Sequence, residues 1–230
     1  MARKPRTPPP PRRPVQAPRA RSRADEPRDR RAWLIALSAA ALGFIGLAAV
    51  IGLYAFGGNG GGTAATVLDE AGCTLTTFVG QGRNHVQQLP KNFKYNSFPP
   101  TTGPHNPQPA PFDVYSEPVE QFRLVHNLEH GGVVIQYGRQ ITEATVNEIV
   151  EWYRRNPNGI VIAPLPGLGG KIALTAWNAD VNASGASTER GQGILATCSR
   201  FDDEAFEAFK DEYAFQGPER FPEDALAPGL

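Results

Sequence analysis

The chain is poor in sulfur: among 230 residues there are two cysteines, Cys73 and Cys198, and one methionine, Met1. Two cysteines cannot staple a small disulfide scaffold or supply a cysteine-based zinc finger, and neither belongs to a CxxC pair. Nothing repeats with a period of about 20 to 50 residues, which excludes solenoids and propellers. No serine or cysteine has a nucleophile elbow around it, so nucleophilic catalysis has no support. The nearest approach to a phosphate loop, Gly167-Leu168-Gly169-Gly170-Lys171, continues into Ile172 where Ser or Thr is needed, and Pro164 and Pro166 break the strand it requires. It reads as a turn.

Net charge is also lacking, with 23 basic residues against 23 acidic ones, but the zero is a cancellation. Residues 1–31 hold eleven basic residues (Lys4 and ten Arg) and three acidic ones (Asp25, Glu26, Asp29), a balance of +8 that leaves −8 for the rest. Eight prolines in the same stretch forbid a helix, so it reads as a disordered basic cytoplasmic tail. No aromatic or folded module accompanies it, so nucleic acid is not the expected partner. The lipid bilayer is, since a basic residue near an anionic surface gains about 1 kcal/mol.

From Ala32 to Phe56 run 25 residues without a charge. As a helix they would span roughly 37 Å at about 1.5 Å per residue, enough for a hydrocarbon core of about 30 Å. A cleaved signal peptide would have a shorter apolar region and a small-x-small site, which is missing before the glycine run. Residues 32–56 are therefore expected to be a single transmembrane helix, and the Arg-rich flank keeps the N-terminus in the cytoplasm. Residues 57–65 read as a Gly-rich linker. Residues 66–230 are expected to form one extracytoplasmic domain of a cell-envelope protein. In that compartment disulfides persist. Cys73 and Cys198 are expected to pair there, the alternative being two buried thiols.

Within that domain, Val146, Ile149, Val150 and Tyr153 recur at helical spacing and predict a helix over Thr142–Arg155. A second is predicted over Asp202–Phe215, with Asp202 as its N-cap. Strands are read at Thr74–Val79, Phe122–Val125, Val133–Tyr137, Ile160–Ala163, Ile172–Trp177 and Ile194–Thr197. The fold class expected is α+β, a mixed or antiparallel sheet with two main helices. Seven prolines between Phe98 and Pro118 predict an extended, backbone-exposed stretch.

All four histidines, His85, His105, His126 and His130, fall within 46 residues. The densest piece is His126-Asn127-Leu128-Glu129-His130, whose HxxEH spacing matches the inverted zinc-protease motif. That motif needs a long helix, whereas Gly131-Gly132 follows at once and short apolar runs flank it. A hairpin or single helical turn is expected instead, with His126 and His130 converging at strand ends. Glu189, Glu204 and Glu207 are the loose candidates for the further carboxylate a protease needs. His105 follows the proline-stiffened Pro99-Pro100-Thr101-Thr102-Gly103-Pro104, and His85 follows Gly82-Arg83-Asn84. Four imidazoles and one carboxylate suit zinc, copper(II) or manganese. The other reading is that the histidines are hydrogen-bonding hubs holding the loop to the sheet.

From about Gly72 to Glu219 the sequence resembles an uncharacterised group of bacterial membrane-anchored proteins, the domain-of-unknown-function family 3105. The resemblance rests on Gly82-Arg83-Asn84-His85-Val86, on Tyr95 with PPTTGPH, on VHNLEHGGVVIQY from Val125 to Tyr137, on Ala176-Trp177, and on Phe209 to Tyr213 with Pro218-Glu219. Thr102 stands where the pattern usually has Ser, and Asp113 where it usually has Gly. The resemblance supports the domain and assigns no reaction, but its motif histidines are the same four. The expectation is a site in which His85, His105, His126 and His130 are metal ligands, with Glu129 as a ligand or as the acceptor that orients an imidazole. A non-enzymatic envelope interaction or assembly module, with the proline-rich loop as its contact surface, is the alternative. A metalloprotease ranks below both.

Overall fold

The structure, a computed structural model, describes residues 63–180 and 190–230. In chain order its elements are helix α1 (Ala64–Glu70), strand β1 (Thr74–Val79), helix α2 (Gln121–Glu129), strand β2 (Val133–Tyr137), helix α3 (Glu143–Arg155), strands β3 (Ile160–Pro164), β4 (Ile172–Asn178) and β5 (Gln192–Cys198), and helix α4 (Asp203–Tyr213). The basic tail and the expected span at 32–56 lie outside the described residues, as does most of the linker. Among the described residues no helix is long and apolar enough to cross a membrane.

The strands form one mixed sheet in the order β1-β5-β4-β2-β3. Every neighbouring pair is antiparallel except β2 and β3, which are parallel and joined by α3. A parallel pair needs such a crossover, since no tight turn can reverse the chain twice. Alternate residues of the central strands enter two cores. Val133, Ile135, Ile160, Ile162, Ile172 and Leu174 meet Leu68 of α1, Trp152 of α3, and Phe206 and Phe209 of α4. Val134, Val161 and Trp177 meet Leu124, Val125 and Leu128 of α2 on the other face. With both faces covered, these strands read as unbroken apolar runs rather than alternating ones.

The predicted α+β class is observed, with four helices where two main ones were expected. Helices α3 and α4 begin as read. The Thr142 hydroxyl accepts from the Thr145 N–H, and the Asp202 carboxylate accepts from the Ala205 N–H, each satisfying a donor that the first turn leaves without an intrahelical partner. The Cys73–Cys198 disulfide is present. It adds one rung beyond the Thr74↔Thr197 pair where β1 meets β5.

Two expectations are corrected. Phe122–Val125 is not a strand but the first half of α2. Its short apolar run matches a strand by composition, yet Leu124, Val125 and Leu128 lie on one helical face and are buried together in the second core. The two glycines after His130 terminate that helix rather than exclude it. The Gly131 N–H donates to Leu128 O (3.0 Å) and the Gly132 N–H to Asn127 O (2.8 Å), with Gly131 at φ +93°. This pair of bonds is the Schellman stop, which caps the last carbonyls and favours glycine in the left-handed position.

The proline-rich stretch is likewise less exposed than read, because residues 99–105 are buried. Prolines lack an N–H and leave few donors to satisfy, so this segment can be packed over the sheet at modest cost. Farther along, the Tyr115 N–H donates to Ile162 O and the Ile162 N–H to Asp113 O, which covers the edge of β3.

Candidate metal centre

Three loops and one helix meet on the α2 side of the sheet. His85 and His105 are brought side by side by a short parallel bridge between their loops, in which the Val86 N–H donates to His105 O and the His105 N–H to Asn84 O. The Asn106 N–H then donates to Phe122 O in the first turn of α2. Asn127 clamps the same loop from inside the helix, accepting from the Ala110 N–H and donating to Ala110 O. Tyr95 donates its hydroxyl to Pro104 O at 2.7 Å, and burial pushes its phenol up to about 12. The loop carrying His105 is therefore fixed from both ends before the imidazoles are considered.

His126 and His130 converge through helical i, i+4 spacing, with His130 as the C-cap of α2, and not through the strand ends expected from sequence. Their Nε2 atoms lie 3.0 Å apart. The rings of His85, His105 and His126 have mutual centroid distances between 4.7 and 5.0 Å. Glu129 Oε2 sits between two of them, 2.9 Å from His105 Nε2 and 3.1 Å from His85 Nε2. One ligand atom from each of His85, His105, His126 and Glu129 lies within 4.8 Å of the others. Four of the five residues singled out in the sequence thus meet in one group, and His130 adjoins it through His126.

The partners of the ring nitrogens assign the tautomers. His105 Nδ1 lies 2.7 Å from Gly103 O, and His126 Nδ1 lies 2.6 Å from Asn106 O. A carbonyl only accepts, so each Nδ1 carries the proton, and in the neutral ring each Nε2 presents a lone pair to the cluster. For His105 that lone pair faces a carboxylate oxygen. Two acceptors at 2.9 Å are compatible only with a proton or a cation between them. For His126 it faces the His130 Nε2. Two nitrogens bound tetrahedrally to one zinc at about 2.0–2.1 Å lie about 3.3 Å apart, close to the spacing found. A ring whose second nitrogen is held by a carbonyl is the usual state of a metal-ligating histidine.

The electrostatics agree. Burial pushes the His126 imidazole below its ordinary value, against the pull of the Asn106 carbonyl. Burial and then the neighbouring His126 push His130 down to about 4. Burial alone would raise the Glu129 carboxyl, but the hydrogen bond and charge of His105, helped by His85, hold it below the usual range. For His126 and His130, burial thus favours the neutral imidazole that coordination requires, and Glu129 is favoured as the carboxylate. His105 and Glu129 are buried, with 0% and 3% of their side chains accessible, whereas 45% of the His85 side chain is open to solvent.

Two further residues border the cluster. Arg83 Nε is 4.0 Å from Glu129 Oε1, and Glu219 Oε2 is 4.0 Å from His130 Nε2. Arg83 carried a usable signal, since it stands two residues before His85 within the Gly82-Arg83-Asn84-His85-Val86 motif. Glu219 was marked only by the Pro218-Glu219 pair of the family pattern, and nothing in the sequence placed it beside His130, 89 residues away. Of the carboxylates a protease would draw on, Glu207 accepts from Trp152 Nε1 on the opposite face of the sheet, and Glu204 lines a groove with Ala64 and Val67 on that same face. Glu189 lies outside the described residues.

A family model described as "Protein of unknown function (DUF3105)" matches residues 85–225, and the chain belongs to that family. No curated protein and no solved structure matches it.

Proposed function

We propose that this is a membrane-tethered cell-envelope protein whose exported domain binds a transition-metal ion through His85, His105, His126 and His130, with Glu129 as a further ligand. The observation that carries the reading is the pair of carbonyl-held imidazoles, His105 and His126, whose Nε2 atoms face other ligand atoms of the cluster, that of His105 the buried Glu129 carboxylate and that of His126 the His130 Nε2. A donor set of imidazoles and one carboxylate suits zinc or copper(II). Copper(I) prefers thiolate and thioether, but both cysteines are in the disulfide and the sole methionine is Met1. The disulfide itself supports an oxidising compartment, and the uncharged run at 32–56 supports the tether and the bilayer as partner. Glu129 is tied to two imidazoles, which argues for ligation over the general-base role a protease would give it.

The test is metal content. The 230-residue protein, dialysed after loading with zinc or copper(II), retains stoichiometric ion, and the double variant His105→Ala with His130→Ala loses it. Protein that holds no ion after loading under several conditions ends the proposal. It would leave the alternative, an envelope interaction module, in which the same substitutions lower stability without touching metal content.

A further inference from the structure

Glu129 has two oxygens, and the site above engages one of them. Oε2 takes both His85 and His105, while Oε1 is turned toward Arg83. Glu129 also belongs to a second group, made of Glu129, His130 and Glu219, whose ligand atoms are again within 4.8 Å of one another.

Glu219 is held there by its main chain. Its N–H donates to Glu129 O at 3.0 Å, and Arg83 Nη1 donates to Pro218 O at 3.1 Å. Gly217 lies so close to the end of α2 that a Cβ on it would stand 2.3 Å from Glu129 O and 2.4 Å from Gly131 N. No larger residue fits that approach. The segment 217–219 is thus docked on the helix terminus that presents His130, and the Phe221 ring lies 4.3 Å from the His130 ring. The main chain that carries this carboxylate is thus fixed by one backbone bond, one bond from the Arg83 side chain and a close glycine contact.

We infer that Glu129, His130 and Glu219 form a second divalent-cation site, sharing Glu129 as a bridging carboxylate with the ion held by His85, His105 and His126. This rests on the proposed metal-binding function and divides its ligands. In a single-ion site His130 is a fifth ligand and its Nε2 shares the ion with that of His126, whereas here the two nitrogens, 3.0 Å apart, are divided, His130 serving the second ion and His126 the first. Bridged ions in such centres stand about 3.5–4 Å apart and clamp an oxygen ligand between them. The second donor set, one imidazole and two carboxylates, is harder than the first, so it accepts Mn²⁺ as well as Zn²⁺ and holds either more weakly. Glu219 is 47% exposed, which leaves that ion open to exchange.

Metal-free 230-residue protein is titrated with Zn²⁺ alone and with Mn²⁺ alone, following heat and bound metal. Two ions per chain are expected, the second bound roughly tenfold or more weakly because its ligands are fewer in nitrogen. Glu219→Gln removes the second event and leaves the first affinity unchanged. Its unfolding temperature, measured metal-free, matches the parent because the side chain is half-exposed. One ion per chain in the parent, with Glu219→Gln behaving identically, overturns the second site and leaves the first reading intact. Loss of all binding in Glu219→Gln also overturns it, since Glu219 would then serve the first ion. No binding by the parent overturns both.

Discussion

His105 Nε2 stands 2.9 Å from Glu129 Oε2 with both side chains shut off from water, and the other nitrogen of the ring is already committed to the carbonyl of Gly103. This contact adds a buried side-chain tie between the proline-rich loop and α2, which the Asn127–Ala110 bonds already join. It also places a lone pair against a carboxylate, an arrangement that requires positive charge between them.

Removing the Glu129 carboxylate charge should cost affinity before it costs the fold. Glu129→Gln keeps the shape and one acceptor oxygen but loses the anion, and zinc affinity is expected to fall roughly 10- to 100-fold. A competitive chelator titration reads this directly. Glu117→Gln, at an exposed position, serves as the control and is expected to match the parent. Equal affinity in Glu129→Gln and parent would remove Glu129 from the site.

The metal-free protein should weaken in mild acid. His130 takes up a proton near pH 4 in the folded state and near 6.5 when unfolded, because burial and His126 oppose its charge. Its contribution is therefore complete above pH 6.5 and drains away as pH falls toward 4, on the order of 2–3 kcal/mol in all. Glu129, held below the usual carboxyl range, loses its contribution at lower pH still. Urea unfolding of metal-free protein across pH 7.5 to 4 measures the slope. His130→Gln is expected to flatten it, and an unchanged slope in that variant would show that the loss arises elsewhere.

Gly131→Ala should damage stability and binding together. The position needs φ +93°, and an added Cβ would lie 2.8 Å from the Cα of Phe215. A non-glycine residue in the left-handed region costs about 1–3 kcal/mol. The clash adds to that and displaces His130 beside it. Thermal unfolding and a zinc titration on the same variant check both halves. A stable variant with intact binding would mean that the helix stop contributes nothing to the site.

The disulfide should be worth more than any single core contact. Cys73 and Cys198 close a loop across 125 residues, and the chain-entropy model puts the stabilisation at about 4–5 kcal/mol. Cys73→Ser with Cys198→Ser is expected to lower the urea midpoint substantially, and the parent in reductant should move to the same value. A double variant as stable as the parent would contradict the estimate.

Much of the fold was legible because its signals are local. Val133–Tyr137 and Thr74–Val79 read as strands from β-branched and apolar runs, and Asp202 read as a cap because its side-chain oxygen meets an N–H group only three residues ahead. Phe122–Val125 did not read correctly. Four residues sample barely one helical turn, and what separates helix from strand there is the burial of Leu128 beside Leu124, a contact with a sheet formed by later strands. The buried path of residues 99–105 was illegible for a similar reason, since proline content reports lost donors and not what lies beneath the chain.

The amino-acid sequence by itself determined which groups the domain has to work with: four histidines within 46 residues, a glutamate between two of them, and one cysteine pair. Composition and spacing are properties of the chain, and they survive any folding. Only the tertiary structure decided that Nε2 rather than Nδ1 faces inward on His105 and His126, that Glu129 is shut from water, and that Glu219 arrives from 89 residues away to meet His130. Those outcomes depend on which carbonyl lies behind each ring and which loop lies over each carboxylate. Such relations are set by packing between segments distant in sequence, so no local pattern carries them.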